Sequence, residues 1–432
     1  MSSLIGIGST VYQVGGGTPP VTNDIGIAGA ENFGVGVYPT TLPSGFSTTA
    51  DFGNYQYSDG SIMVWVPAFF YKIATDNTVT IKPESAYANE AAANADGYAL
   101  HRAFKDGGST KRGFFVDKYQ CSNNSGTASA IKNGNPLSSA AVHNPFSGLT
   151  GAPANTLAGA IDAAKTRGSV FACCSRFIYS ALALLSVAHG QAATATTHCA
   201  WYDGTGATNY PKGCNNDALG DTNDGTILYT SDGYSNCGKT GSGTPFAKTA
   251  HNGQSSGVVD INGNMWELSL GMTRPGSSAS DTTWGGAADF YVLKESVAIA
   301  DLTSGWDGAT DAWGNTTHLA TLYDVLTAAH LTHKSAYDNY GNGANQVLSE
   351  ALSGNNYSLT GLGLPKDASA QSVAGTNLFG TDGIYEVWTA NLCVLSGGSW
   401  DNAARAGVWA AFLLYARSNS YGRMGFRAAM YV

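Results

Sequence analysis

The residues of this chain best suited to chemistry are its thiols, its histidine pairs and one loop rich in Asp and Asn. Seven cysteines, Cys121, Cys173, Cys174, Cys199, Cys214, Cys237 and Cys393, are scattered without a CxxC spacing. An odd number precludes complete pairing within one chain, and scattered free thiols fit folding in a reducing cytoplasm. Cys199 with Cys214, or Cys214 with Cys237, could still close a loop. His189 and His198 flank this region, but their spacing matches no zinc pattern. His330 and His333 stand at i, i+3 near an expected helix end, where a structural or solvated pair is the ordinary outcome. The stretch Gly213 to Thr226 offers the oxygens of Asp217, Asp221, Asn223 and Asp224 to Ca²⁺. It lacks the terminal Glu of a twelve-residue calcium loop, so a surface loop of Asx turns is expected, with calcium the lesser alternative. No GxSxG, phosphate-binding loop or dinucleotide fingerprint occurs in its structural context. No carboxylate spacing singles out an acid and a base. No catalytic residue, metal site or other cofactor is therefore expected.

The last segment, Ser396 to Val432, is different in kind: SGGSWDNAARAGVWAAFLLYARSNSYGRMGFRAAMYV. Its frame is Gly397-Gly398-Ser399-Trp400, Ala416-Arg417-Ser418 and Gly425-Phe426-Arg427. Paired glycines let a strand bend or a neighbouring backbone come close. Trp400 and Phe426 are core anchors. Arg417 and Arg427 carry planar forks that can tie carbonyls or carboxylates. Between them lie Asp401, Asn402, Arg405, Phe412, Leu414, Tyr415, Tyr421, Gly422 and Arg423, a set that no helix or strand period explains. Acid, base, aromatic, aliphatic and glycine share one class of position. Such a mixture suits a recognition face, with Phe412, Tyr415 and Tyr421 giving large contacts at low entropy cost. Arg405 and Arg423 would add charged forks and Asp401 the opposite sign. Tyr415, Tyr421 and Arg423 are expected to be exposed and clustered, and Trp400, Phe426 and Arg427 buried or tied down.

The frame GGSW…ARS…GFR resembles the C-terminal variable region, here 397–427, of proteins diversified by diversity-generating retroelements. The resemblance implies an α+β C-type lectin fold of the formylglycine-generating-enzyme-like kind, loop-rich with a few helices. In that family, adenines of a template copy are replaced at random, so Asn codons scatter over many residues. Altered at their first two bases, AAC and AAT reach Asp, Arg, Phe, Leu, Tyr and Gly but never Lys, Glu, Gln, Met or Trp. None of those five stands at the nine positions. The phrases MVWVPAF, FFVDKYQCSN and Asp260-Ile261-Asn262-Gly263-Asn264-Met265-Trp266-Glu267 resemble other parts of the same fold. There Asn262-Gly263 turns a hairpin, Trp266 is buried and Glu267 is hydrogen-bonded.

Positioning these residues falls to a chain of 432 residues, enough for one large domain and a smaller one. Charged residues make up 12%, about half the usual share, and Gly numbers 55. Hydrophobic residues at 43% exclude disorder. The net charge of −9 argues against nucleic acid or an anionic membrane surface as partner. Residues 1–55, with the turn signal Gly15 to Pro20, read as an N-terminal attachment or oligomerisation region. The lectin-type domain is expected over 56–432. Strands are expected at Ile62 to Val66, Phe69 to Ile73, Thr78 to Lys82 and Gly113 to Tyr119. Helices are expected from Thr156 to Thr166, capped by Asn155 and stopped by Gly168, and from Arg176 to His189, capped by Ser175. A third is expected from Leu319 to Leu331. Long Gly/Ser/Asn stretches within 270–375 read as insertions.

The family's oxidase branch holds its metal through two cysteines, and the matching positions here are Asn402 and Gly407. That activity should therefore be absent. Trp400-Asp401-Asn402 resembles the sugar-binding triplet of calcium lectins only superficially, because two of its members belong to the nine. The chain lacks a basic-then-apolar leader, and Phe177 to Ala188 is too short to cross a bilayer. The expectation is a phage tail-fibre-tip adhesin, made in the host cytoplasm, carried on the virion, and binding a host cell-surface protein or glycan receptor. The resemblance implies a homotrimer, docked on other tail proteins through the N-terminal region, with no membrane insertion. The alternatives are a non-viral bacterial ligand-binding protein of the same fold or, behind it, an oxidase of the formylglycine-generating kind.

Overall fold

Val64, Val66, Phe114 and Val116 alternate with Met63, Trp65 and Phe115 along two neighbouring strands, and both sets are buried. Strands apolar on both faces belong inside a domain, covered on each side. The computed structural model describes residues 4–7, 10–13, 34–74, 78–192, 213–274, 291–304, 321–325, 337–339, 359–364, 381–386 and 391–432. It is a mixed α/β structure, rich in short strands and with few helices among the described residues. The strands that matter for the site are β1 (Phe46–Thr48), β2 (Asn54–Tyr57), β3 (Ile62–Pro67), β4 (Gly113–Asp117) and β5 (Ala172–Cys173). They continue with β6 (Trp266–Ser269), β7 (Tyr337–Asn339), β8 (Gly383–Glu386), β9 (Val394–Ser396), β10 (Ala411–Leu413), β11 (Met424–Gly425) and β12 (Ala428–Tyr431).

One six-stranded sheet runs β5-β12-β4-β3-β2-β1 and is antiparallel throughout. It takes in residues 46–55, which the sequence reading assigns to the N-terminal region. The other runs β7-β8-β10-β9-β6-β11, with β8–β10 and β6–β11 parallel. The helix α1 (Leu157–Lys165) and the helix α2 (Arg176–Ala192) pack against these sheets. From Arg176 to His189 α2 is buried on every side, so Phe177, Ala181, Leu184, Leu185 and Ala188 mark only part of its packed surface. Ser175 caps it as expected, its Oγ accepting from Ile178 N at 3.4 Å. At α1 the cap is Thr156 rather than Asn155. Asn155 Oδ1 instead accepts from Ser147 N.

Three further expectations change. Cys214 and Cys237 are both free and buried, so neither closes a loop with the other. Residues 323–325, the middle of the expected third helix, form a strand paired with Tyr291–Leu293, where Tyr323 enters the core. Asn262-Gly263 does turn the chain, but no regular strand precedes it, and Val259 makes only an isolated bridge to Ala250. Strand Thr10–Gln13 pairs with Leu4–Ile7 as a hairpin. Gly15 to Pro20, His198, Cys199, His330 and His333 lie outside the described residues.

The two sheets are tied by Arg427, between β11 and β12. Its Nε and Nη2 both donate to Glu267 of β6 at 2.7 Å, Nη1 donates to the Asp117 carbonyl at 2.9 Å, and Nη2 to that of Val259 at 2.9 Å. Tyr179 of α2 and Gln120 Nε2 also donate to Glu267. Beside it, Arg167 grips Asp117, whose Oδ2 accepts from Ala428 N. Every one of these charges is buried and paired, the condition on which an ion pair survives in a core.

Candidate recognition face

Eight of the nine residues lie on two loops carried by the second sheet, and the ninth, Phe412, lies within its strand β10. The first leaves β9 through Gly397 and Gly398, both at positive φ. A Cβ on Gly397 would stand 2.3 Å from the Ile261 carbonyl oxygen, and one on Gly398 2.6 Å from Ala406. The backbones therefore touch here, as the paired glycines imply. Arg176 then fixes the turn from below. Its guanidinium donates to Ser396 Oγ and to the carbonyls of Trp409, Ala410, Leu362 and Gly363.

Asp401 and Asn402 are half-buried, and both accept from Ser399 Oγ, at 2.7 and 2.9 Å. Arg405 ends a short 3-10 turn and is exposed. This loop rests on the Asp/Asn-rich stretch: Asp217 N donates to the Trp400 carbonyl and Ala403 N to that of Asn215, each at 2.7 Å. Within that stretch the carboxylates face local donors. Asp221 accepts from Asn215, Asn223 and Asp224, and Asp224 from Thr226 and Lys248. The stretch is thus a set of Asx turns that buttresses the face.

The second loop follows β10. Phe412 is only 8% exposed, sandwiched between Trp266, Tyr385 and Tyr415, because β10 runs between two other strands. It supports the face from beneath instead of supplying the large open contact expected of it. Tyr385 and Tyr415 stack on its two sides with ring centroids 4.7 and 5.2 Å away, and Tyr421 lies 4.8 Å from Tyr415. Tyr421 is 44% exposed. Tyr415 and Leu414 are half-buried. Arg423 makes an ion pair with Asp401 and a hydrogen bond to Tyr415, its side chain 34% exposed and that of Asp401 26%. Burial raises the Tyr415 phenol, and the hydrogen bond from Arg423 partly opposes that shift. Asp401, Tyr415, Tyr421 and Arg423 thus form one partly open cluster, while Trp400, Phe426 and Arg427 are buried.

The backbone under the cluster is held firmly. Tyr421 N donates to Ser139 Oγ, and the Tyr421 and Gly422 carbonyls accept from Ser138, Ser139 and the His143 ring. Gly422 is pressed under Tyr234: a Cβ would lie 2.9 Å from that ring. Tyr385, Ser138, Ser139, His143 and Tyr234 escaped the sequence reading. The 138–143 contacts reach across about 280 residues, and no local pattern signals them.

Elsewhere a polar cleft of about 550 Å³ is lined by Lys105, Ser109, Lys294, Glu295 and Asp324. Its charges pair with one another, Lys105 with Glu295 and Lys294 with Asp324. No helix among the described residues is long and apolar enough to cross a membrane. No protein-family model matches the chain, and no curated protein matches it. Among solved structures it is similar to one titled "Major Tropism Determinant P3c Variant", at 12% identity and a TM-score of 0.29, over 91% of this chain and 85% of that one.

Proposed function

We propose that this chain is a receptor-binding adhesin of the phage tail-fibre-tip type, with a C-type lectin fold. Its face at 401–423 would be diversified by a retroelement to meet changing host-surface proteins or glycans. The observation that carries the reading is the division between a backbone clamped by buried contacts and the partly open Asp401–Arg423–Tyr415–Tyr421 cluster above it. A scaffold that holds its loop through main-chain and frame contacts tolerates replacement of the outward side chains. Phe412 and Gly422 fit this less well than the rest, being packed against Tyr385 and Tyr234. The proposal includes a homotrimer, docking to other tail proteins through the N-terminal region, a place on the virion, and no enzymatic role. The described cysteines are all buried, and burial raises each thiol, which suits packing and not nucleophilic or redox work.

The test is the DNA beside the gene. A near-copy of codons 397–427 with AAC or AAT at the nine positions, next to a reverse transcriptase, is the expected result. Its absence would remove the diversified face and leave a ligand-binding protein of fixed specificity. Tail genes as neighbours would separate the phage reading from a cellular one.

A further inference from the structure

Directly beneath Gly422, two loops bring together an imidazole, a carboxylate and a thiol. The ligating atoms of His143, Asp232 and Cys237 all lie within 4.8 Å of one another. The His143 and Asp232 side chains are 3% and 0% exposed, and Cys237 is fully buried. The turn 232–237 supplies two of them, closed by Asp232 N to the Cys237 carbonyl and Cys237 N to the Tyr234 carbonyl.

Both nitrogens of the His143 ring face acceptors. Nδ1 is 3.0 Å from the Gly422 carbonyl oxygen and Nε2 is 2.6 Å from Asp232 Oδ2. A neutral ring carries one N–H and can donate to only one of them. A metal held by both Nε2 and Oδ2 would replace the proton in the other contact, the two atoms moving apart from 2.6 Å to about 3.3 Å. With Nδ1–H on the Gly422 carbonyl, the Nε2 lone pair is aimed at the group it would share with Asp232. That backbone-oriented arrangement is the one metal-binding histidines adopt. Tyr234 stacks on the ring at 3.9 Å and fixes its plane. Asp232 Oδ1 is held by Tyr234 N, and Asn144 donates to Oδ2.

We propose that His143 Nε2, Asp232 Oδ2 and Cys237 Sγ form a binding site for a borderline-soft divalent ion of the Zn²⁺ type, with water or another group completing the tetrahedron. Mixed S, N and O ligands select Zn²⁺ over Ca²⁺ or Mg²⁺. A divalent ion with one thiolate and one carboxylate is neutral overall, which suits a buried site. Burial and the nearby Asp232 carboxylate keep the Cys237 thiol protonated without a metal, and coordination itself removes that proton. Binding would therefore release the thiol proton, and the one between Nε2 and Oδ2, to buffer. Through the Nδ1 bond the ion would lock the Gly422 carbonyl and with it the segment carrying Tyr421 and Arg423.

The test uses the full chain after chelator treatment, titrated with Co²⁺ and then with Zn²⁺ in competition. A thiolate-to-cobalt charge-transfer band at one ion per chain is expected, displaced by Zn²⁺. A melting temperature that climbs with free Zn²⁺ is expected alongside it. Cys237→Ser should abolish the band, and Asp232→Asn should weaken Zn²⁺ binding more than tenfold. Cys214→Ser should keep the band, because that thiol points to the Ala218 and Asn236 carbonyls. No band in a chain that melts cooperatively would overturn the site, as would a band that survives Cys237→Ser. If Cys237→Ser fails to fold, Cys237→Ala and His143→Asn decide by the same readouts.

Discussion

Two arginine–carboxylate pairs stand within the last segment's reach, and they behave oppositely. Arg427 and Glu267 are wholly buried, doubly hydrogen-bonded, and linked to two further carbonyls and a tyrosine. Arg423 and Asp401 are about one-third and one-quarter exposed, and share their space with Tyr415 and Tyr421. The chemistry of the groups is the same, and burial decides what they do. The inner pair welds two sheets, and removing one partner strands a charge. The outer pair is screened by water and free to be exchanged for other contacts.

The contrast can be tested in descending order of effect. Arg427→Met should leave Glu267 buried without its counter-charge and cost about 3–5 kcal/mol, read as a lowered urea midpoint or failure to fold. If it melts like the parent, the inner pair is not a weld. Gly397→Ala forces a Cβ against the Ile261 carbonyl at φ +90° and should cost more than about 1 kcal/mol. The same change at Gly151, where nothing lies nearby, should cost less, though its φ is also positive.

Acid should probe the inner region alone. His251 is fully buried, and burial depresses it from 6.5 to about 3. The folded state therefore binds fewer protons over that window, so stability should fall as pH drops below 6.5. Asp260 works against this: burial raises it from 3.8 to about 6, so its contribution is lost as pH rises through 6. The histidine has the larger shift. Urea midpoints measured from pH 6.5 to 4.5 should fall in the parent, and His251→Gln should flatten or reverse the slope. The smallest stability change belongs to the outer cluster. Tyr421→Ala with Arg423→Ala should alter stability by no more than about 1 kcal/mol yet abolish binding to the cognate cell surface in a pull-down of whole cells. A large loss of stability with binding retained would reverse the roles assigned to the two regions.

Much of the inner region could be read from the sequence because its signals are local. The run Ile62 to Val66 ended by Pro67, the apolar Phe114 to Val116, the Ser175 cap and Gly397-Gly398 each announce their own conformation. Trp266 and Glu267 also fall where expected. The third helix misled because Leu322, Tyr323 and Leu326 suit an apolar helical stripe, while the strand is settled by a partner at 291–293. The outer cluster was legible as a list of residues but not as a surface. Sequence could not show that Phe412 sinks under Tyr385, that Gly422 is pressed by Tyr234, or that His143 holds its carbonyl. The first depends on the parallel pairing of β8 with β10, and the other two on loops about 190 and 280 residues away, whose placement follows from the sheets and not from their own spacing.

The position of β12 has a kinetic consequence. It sits between β4 and β5, and the Arg427 that precedes it meets Asp117 from 310 residues away. Closing so long a loop is entropically slow, and few contacts reward it before it is complete. Until β12 arrives, β4 and β5 each present an open edge of unpaired amides and carbonyls, the kind that recruits other chains. Refolding should therefore be slow and concentration-sensitive, and capturing the final strand becomes the step that separates a finished molecule from an aggregate.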